Sequence, residues 1–364
     1  MVTHLATAEA TANIAVVKYW GKRDEKFILP TESSLSFTMD DQLKTRTTVM
    51  FSPLFKQDEL WLNGQSINLK ESEAAERLQQ LDLIRKQAGL THRARIVSMN
   101  CFPTAAGFAS SAAGMAALAV AASKAAGLNL SPRELSILAR MGSGSACRSV
   151  LGGCVEWKRG QKADGTDSFA EQIAPASHWP ELRNVIAIVD AGKKKVPSRA
   201  GMRQTVLTSS LYKARLAYVP ALLEKMKQAI LARDFPTFGE LTMRESSSMH
   251  AVMLDTWPPI LYLNEWSKQV MYAVGEYNEH NGEVQAAYTF DAGPNAHIFT
   301  TADRVDALTK RIKEIEGVVK IMTCTVGEGP RVISKPNEHL LNPHTGQVRV
   351  HSYDEKSRRI QVEA

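Results

Sequence analysis

A single stretch limits what this chain can fold into more than any other. A strand-like run from Arg95 to Asn100 leads into Phe102-Pro103-Thr104-Ala105-Ala106-Gly107-Phe108-Ala109-Ser110-Ser111-Ala112-Ala113-Gly114, which opens directly into an alanine-dominated segment reaching Leu130. Side chains this small let backbone N–H groups approach a ligand closely, and the unsatisfied amides of a helix N-terminus favour an anion. The segment from Ser111 to Leu130 is interrupted by Ser123, Lys124 and Asn129. It is too weakly apolar to cross a bilayer and predicts a buried helix. The loop therefore reads as a phosphate cradle, with a loop of small residues chosen only for space as the alternative on spacing alone. It fits neither GxxxxGK[ST] nor GxGxxG, so P-loop and dinucleotide-fold readings fail.

Strand-like runs at Thr11 to Val17, Thr47 to Phe51 and Glu59 to Leu62, the last followed by Asn63-Gly64 as a hairpin turn, make the N-terminal part rich in strands. Ala75, Leu78, Leu81 and Ile84 recur at helical spacing between Glu71 and Gly89. Ser131-Pro132-Arg133-Glu134 starts a helix that should stop near Gly142. An apolar strand fits Asn184 to Val189, and long helices fit about Tyr212 to Arg233, Phe235 to Met249 and Ile260 to His280. Strand Val284 to Phe290, strand Ala296 to Thr300, helix Val305 to Glu316 and strand Val318 to Thr325 follow. A length of 364 residues suits about two domains. The expected division is 1–182 and 183–332, with an extension, 333–364, that shows no strong pattern.

Lys plus Arg number 44 against 38 Asp plus Glu, a net charge of +6, and the longest basic run is Lys193-Lys194-Lys195. So mild an excess favours an anionic small molecule over nucleic acid or a membrane surface. Aromatic residues are 7% with no stripe of the kind RNA-binding sheets carry, which argues against an RNA-binding protein. Cys101, Cys147, Cys154 and Cys324 form no CxxC pair, and the start shows no secretory signal, so reduced thiols and a cytoplasmic setting are expected. The histidines show no HExxH spacing, and none is assigned to a metal.

Four further segments could carry chemistry. Ser143-Gly144-Ser145-Ala146-Cys147-Arg148 sets two hydroxyls beside a guanidinium suited to a carboxylate or phosphate; a surface cap is the plain alternative. Cys147 reads as a small buried residue rather than a nucleophile. Asn13, Lys18, Tyr19 and Lys22 put polar groups at a strand end, where they could equally be solvent-facing. Asp291 lies between a strand and Gly293-Pro294, a place where Asp often only initiates a turn. Lys193 to Lys195 with Ser198, Arg199 and Arg203 read as a basic loop. Ser110 and Ser111, in the cradle, are hydroxyls that could meet magnesium beside a phosphate.

Taken together, NIAVVKYWGKRD, FPTAAGFASSAAG, SGSACRS, HWPELR and YTFDAGPNA, in this order, resemble the diphosphomevalonate decarboxylases of the GHMP kinase superfamily, with departures at Phe108 and Met115. The resemblance reaches about Val332. It implies an α+β, two-domain GHMP kinase-like fold with the active site in the cleft between an N-terminal ATP-binding domain and a C-terminal domain. It implies ATP as co-substrate with Mg2+, mevalonate 5-diphosphate as substrate, a homodimer, and isopentenyl diphosphate as product. Carried over residue by residue, Asp291 serves the 3-hydroxyl, Lys18 keeps Asp291 ionised, and Arg148 holds the carboxylate, ordered by Asn13. Tyr19, Lys22, Ser143, Ser145, Ser198, Arg199 and Met202 line the substrate. Ala105, Gly107, Ser110 and Ser111 meet the ATP phosphates, with Ser111 as the magnesium contact. A decarboxylase of mevalonate 5-phosphate and a GHMP small-molecule kinase without decarboxylation remain the alternatives.

Overall fold

Along His4–Thr11, Ala6, Ala8 and Ala10 alternate with Thr7, Glu9 and Thr11, and all six are buried, so both faces of this strand are covered. The computed structural model describes residues 4–69, 78–102, 110–189, 196–354 and 357–363. His4–Thr11 pairs antiparallel with Lys44–Ser52, from His4 opposite Phe51 to Thr11 opposite Lys44. The sheet continues through Arg93–Asn100 to the hairpin Glu59–Leu62 and Gln65–Ile67, and Arg331–Ile333 closes the opposite edge. Asn63 and Gly64 turn that hairpin with φ of 50° and 80°, the left-handed pair that a two-residue turn matched to strand twist requires.

The expected alanine-rich helix is Ser110–Ala125. It lies across the first sheet and shares a core with Ala6, Ala8, Ala10, Val49 and Ile96. Small residues on both surfaces bring helix and sheet close, and this fixes the helix N-terminus beside the end of Arg93–Asn100. The opposite face of the sheet is covered by the chain's tail. Thr7 Oγ1 lies 2.7 Å from His339 Nδ1, and the Leu340 N–H donates to Thr48 Oγ1 at 2.9 Å. Leu340 and Leu341 pack with Met50, Phe55 and Val97. The segment without a sequence pattern is therefore part of the first body, and it finishes in a hairpin of His351–Asp354 and Arg359–Val362.

Two further antiparallel sheets face each other. One orders its strands Ala170–Ala174, Cys154–Trp157, Ser34–Thr38 and Asn13–Val17; the other orders Ala287–Phe290, Ala296–Thr301, Leu182–Val189 and Val318–Cys324. Between them, with the helices Tyr212–Ala232 and Phe235–Leu254, sits a core containing Ile14, Phe37, Trp179, Leu222, Phe238 and Phe299. Helices Glu265–Asn281 and Val305–Lys313 cover the outer face of the last sheet. The fold is α+β, as expected.

Several boundaries differ from the sequence expectation. The third long helix begins at Glu265 rather than Ile260 because Asn264 accepts a hydrogen bond from the Ser267 N–H at 3.0 Å and caps it there. Ser198–Thr208 is a helix, not a loop; its buried residues are Gly201, Met202 and Thr205, and a single large apolar side chain among them shows no apolar period. Gln79–Ala88 carries Leu81 and Ile84 as expected, whereas Ala75 lies outside the described residues.

Candidate active site

Strand Asn13–Val17 runs out at Lys18 and strand Ala287–Phe290 runs out at Asp291. The two ends meet, with Lys18 Nζ 2.8 Å from Asp291 Oδ1. The Lys18 side chain is 2% exposed and that of Asp291 is 37% exposed, so the pair opens to solvent on its carboxylate side. Burial lowers the Lys18 pKa, and the opposing pull of Asp291 and Glu245 does not fully restore it. Burial pushes Asp291 up, but the Lys18 charge and hydrogen bond, with the Arg148 charge adding to them, outweigh it and hold this carboxyl below its ordinary value. The result is an ionised, accessible carboxylate able to take or orient a hydroxyl proton.

Arg148 follows the short turn Gly144–Cys147, which is carried by the helix Pro132–Gly142. That helix starts where the sequence placed it, with Ser131 and Glu134 capping each other. Arg148 is 3% exposed. Its Nε donates to Asn13 Oδ1 and Ser36 Oγ, both at 3.0 Å, and its Nη1 donates to Ser34 Oγ at 2.6 Å. Asn13 is itself fixed by donating to the Ser145 carbonyl at 3.0 Å and to Ser149 Oγ at 2.8 Å. The guanidinium lies 6.0 Å from the centre of the Trp157 ring. All of these partners are neutral, and among the described residues no carboxylate forms an ion pair with Arg148. Burial works against its charge.

Tyr19 stands edge-on to Trp157 with ring centres 4.7 Å apart. Gly144 makes room for it, since a Cβ there would come within 2.8 Å of the Tyr19 ring. The Tyr19 hydroxyl is buried without a hydrogen-bond partner among the described residues. Ser143 and Ser145 lie side by side, their hydroxyls 3.4 Å apart. Arg199 Nη2 donates to the Gly142 carbonyl at 2.8 Å, which ties the Ser198–Thr208 helix to this turn. Lys22 pairs with Glu25. Met202 packs with Trp20, Tyr212 and Tyr262. Ser111 is exposed in the first turn of its helix. Ala105, Gly107 and Lys193 to Lys195 lie outside the described residues, as does the Ser110 side chain.

The "Diphosphomevalonate decarboxylase-like N-terminal domain" family matches residues 10–170, and the "Mevalonate 5-diphosphate decarboxylase C-terminal domain" family matches residues 184–316. The chain belongs to the diphosphomevalonate decarboxylase family. The human diphosphomevalonate decarboxylase is 43% identical over 93% of this chain and 96% of its own length. The Aspergillus fumigatus enzyme is 48% identical over 93% and 90%. The crystal structure of mevalonate diphosphate decarboxylase from Staphylococcus aureus superposes with a TM-score of 0.85 at 36% identity, covering 91% of this chain and 98% of that one. A second structure, MDDEF in complex with MVAPP, AMPPCP and magnesium, gives 0.83 at 40% identity over 91% and 99%.

Against this family background, sequence reasoning missed several residues at the site. Ser34 and Ser36 share one face of Ser34–Thr38, and polar residues at alternate strand positions read as solvent-facing; only their burial shows that they hold Arg148. Glu245 and Arg215, behind Lys18, gave no signal because they lie on two consecutive helices far from Lys18 in sequence. His297 sits one position past the Tyr288–Ala296 motif, and His250 packs edge-on against Phe290. Burial chiefly, with help from the Lys18 charge, lowers both imidazoles to about 4. Both are neutral at physiological pH.

Proposed function

We infer that the site phosphorylates the 3-hydroxyl of mevalonate 5-diphosphate with ATP and then expels that phosphate together with CO2, giving isopentenyl diphosphate, ADP and phosphate. The chain is an ATP-dependent carboxy-lyase serving isoprenoid synthesis. Arg148 carries the inference. A buried guanidinium held only by hydroxyls and an amide carbonyl keeps uncompensated charge, and the C1 carboxylate of the substrate supplies the missing anion. Asp291 accepts or orients the 3-hydroxyl proton while Lys18 keeps it ionised. When the C1–C2 bond breaks, its electron pair forms the C2–C3 double bond and the C3–O pair leaves with phosphate, so no redox partner is needed.

Tyr19, Lys22, Ser143, Ser145, Ser198 and Arg199 are the groups proposed along the substrate's diphosphate and body, with Met202 supporting them from the packed side. Ala105, Gly107, Ser110 and Ser111 are proposed for the ATP phosphates. The N-terminus of Ser110–Ala125 suits them because its amides and dipole favour anions. Bound with ATP, Mg2+ neutralises phosphate charge, and the exposed Ser111 hydroxyl is the protein group proposed to reach it.

The domain division is proposed near residue 182, with the tail from about residue 331 counted with the first body because Arg331–Ile333 pairs with His4–Thr11. A homodimer and a cytoplasmic setting complete the reading. The exposed Leu207, Leu211, Leu254, Trp257 and Leu261 support self-association, and four free, buried cysteines suit a reducing compartment. Among the described residues no helix is long and apolar enough to cross a membrane. Light scattering tests the dimer.

ADP and CO2 measured side by side from the 5-diphosphate and the 5-monophosphate test the function. Equal yields, faster with the diphosphate, are expected. ADP without CO2 would make the protein a kinase, and faster turnover of the monophosphate would make it the other decarboxylase.

A further inference from the structure

Lys18 and Asp291 extend from the ends of edge strands in two different sheets, and neither sheet by itself sets the distance between them. One helix reaches both. The Lys18 backbone N–H donates to Glu245 Oε1 at 2.9 Å, and the backbone N–H of Phe290, next to Asp291, donates to Ser246 Oγ at 2.9 Å. Glu245 and Ser246 are consecutive residues of the Phe235–Leu254 helix, at 0% and 1% exposure. Glu245 cannot swing away, because Arg215 grips both of its oxygens and the Tyr218 hydroxyl donates to Oε2 at 2.8 Å. Arg215 is steadied in turn by Ser248 Oγ at 3.0 Å.

We propose that Glu245 and Ser246 are positioning residues, a clamp that sets the separation of Lys18 and Asp291 by holding the backbone at both strand ends. The proposal rests on the reading that this pair serves the phosphorylated hydroxyl, and it adds residues that do not touch substrate. A displacement of about 1 Å at a reacting group can cost on the order of a hundredfold in rate. Glu245 also acts through charge. Lys18 is faced by Asp291 and His297 from the last sheet, by Arg148 from its turn, and by Glu245 and His250 from the helix. Of these, Glu245 and Asp291 favour the protonated amine, so loss of the Glu245 charge moves Lys18 deprotonation to lower pH.

The test compares Ser246→Ala, Glu245→Gln, Glu245→Asp and Asp291→Asn in the full-length enzyme, reading kcat, KM for ATP, active fraction, melting temperature and the alkaline limb of kcat/KM. Ser246→Ala is expected to lower kcat about tenfold with KM for ATP and melting temperature nearly unchanged. Glu245→Gln should lower kcat further and bring the alkaline limb to lower pH. Glu245→Asp, which keeps the charge and shortens the reach, should restore the limb but not kcat. A well-folded Ser246→Ala enzyme with wild-type kcat overturns the clamp, whether or not Glu245→Gln folds. So does a Glu245→Gln enzyme whose active fraction falls while kcat per active site and the alkaline limb stay at wild type. Loss of activity in Asp291→Asn beside a normal Ser246→Ala removes the clamp alone. Full activity in Asp291→Asn removes the reading of the pair on which the clamp rests.

Discussion

Arg148 and Arg46 are both nearly wholly buried, at 3% and 5% exposure, and they are held in opposite ways. Arg46 lies between the first sheet and the tail. Its Nε donates to Glu9 Oε1 at 2.8 Å and its Nη2 reaches Glu338 Oε2 at 3.3 Å. Arg331 and Lys44 add their charges around the same Glu9. Arg148 meets two serine hydroxyls and an asparagine carbonyl oxygen. A guanidinium balanced by carboxylates is complete and fastens one part of the fold to another. A guanidinium balanced only by dipoles is oriented yet still attracts an anion from outside. What separates scaffold from site here is the countercharge, because burial is the same in both.

The largest expected effect breaks the chemistry without touching either arginine. Asp291→Asn should lower kcat by about 10³ while substrate and ATP affinities stay within a few-fold; single-turnover rates and equilibrium binding check both parts. Wild-type turnover would return Asp291 to a turn-forming role.

Arg46→Met should show the scaffold side of the comparison. It removes the guanidinium that ties buried Glu9 to Glu338, leaving Lys44 and Arg331 at Glu9, and should cost about 2 to 3 kcal/mol in denaturant unfolding, with kcat of the folded enzyme unchanged. Arg148→Lys should give the reverse. The planar fork is lost while the charge stays, so kcat/KM should fall by about 2 kcal/mol with little change in unfolding. If the two variants exchanged phenotypes, the contrast drawn from their partners would be wrong.

The smallest effect appears only in acid. His297 has a folded pKa of about 4 against an ordinary 6.5, so between these values the unfolded chain binds more protons than the native one. Stability is therefore at its full value above pH 6.5 and falls as pH drops towards 4. His297→Gln should make that part of the stability profile shallower in denaturant titrations at stepped pH, with the remaining slope left to His250, which burial lowers to the same value. An unchanged profile would mean that the burial of His297 has little weight.

How much could be read beforehand differed in the same way between regions. The alanine-rich helix, the Asn63-Gly64 turn and the Ser131 capping box announce themselves through small residues, positive φ and local hydrogen bonding, all set by near neighbours in sequence. The first strand and the tail did not, because the alternation of Ala6, Ala8 and Ala10 with Thr7, Glu9 and Thr11 is carried by alanine, a weak strand former, and polar residues on both faces hide the burial; their partners, Lys44–Ser52 and the residues after Lys335, supply it. At the site, the reacting groups lie inside recognisable segments. Their supports, Ser34, Ser36, Glu245 and Arg215, are ordinary polar residues whose function exists only once distant elements meet.

Calorimetric binding of the 5-diphosphate substrate and of its C1 amide, to the wild-type protein and to Arg148→Gln, tests most directly whether the substrate carboxylate completes Arg148. The account predicts that the wild type binds the carboxylate form at least tenfold more tightly than the amide, and that Arg148→Gln abolishes this preference. The same preference in both proteins would contradict it and assign Arg148 to the scaffold beside Arg46.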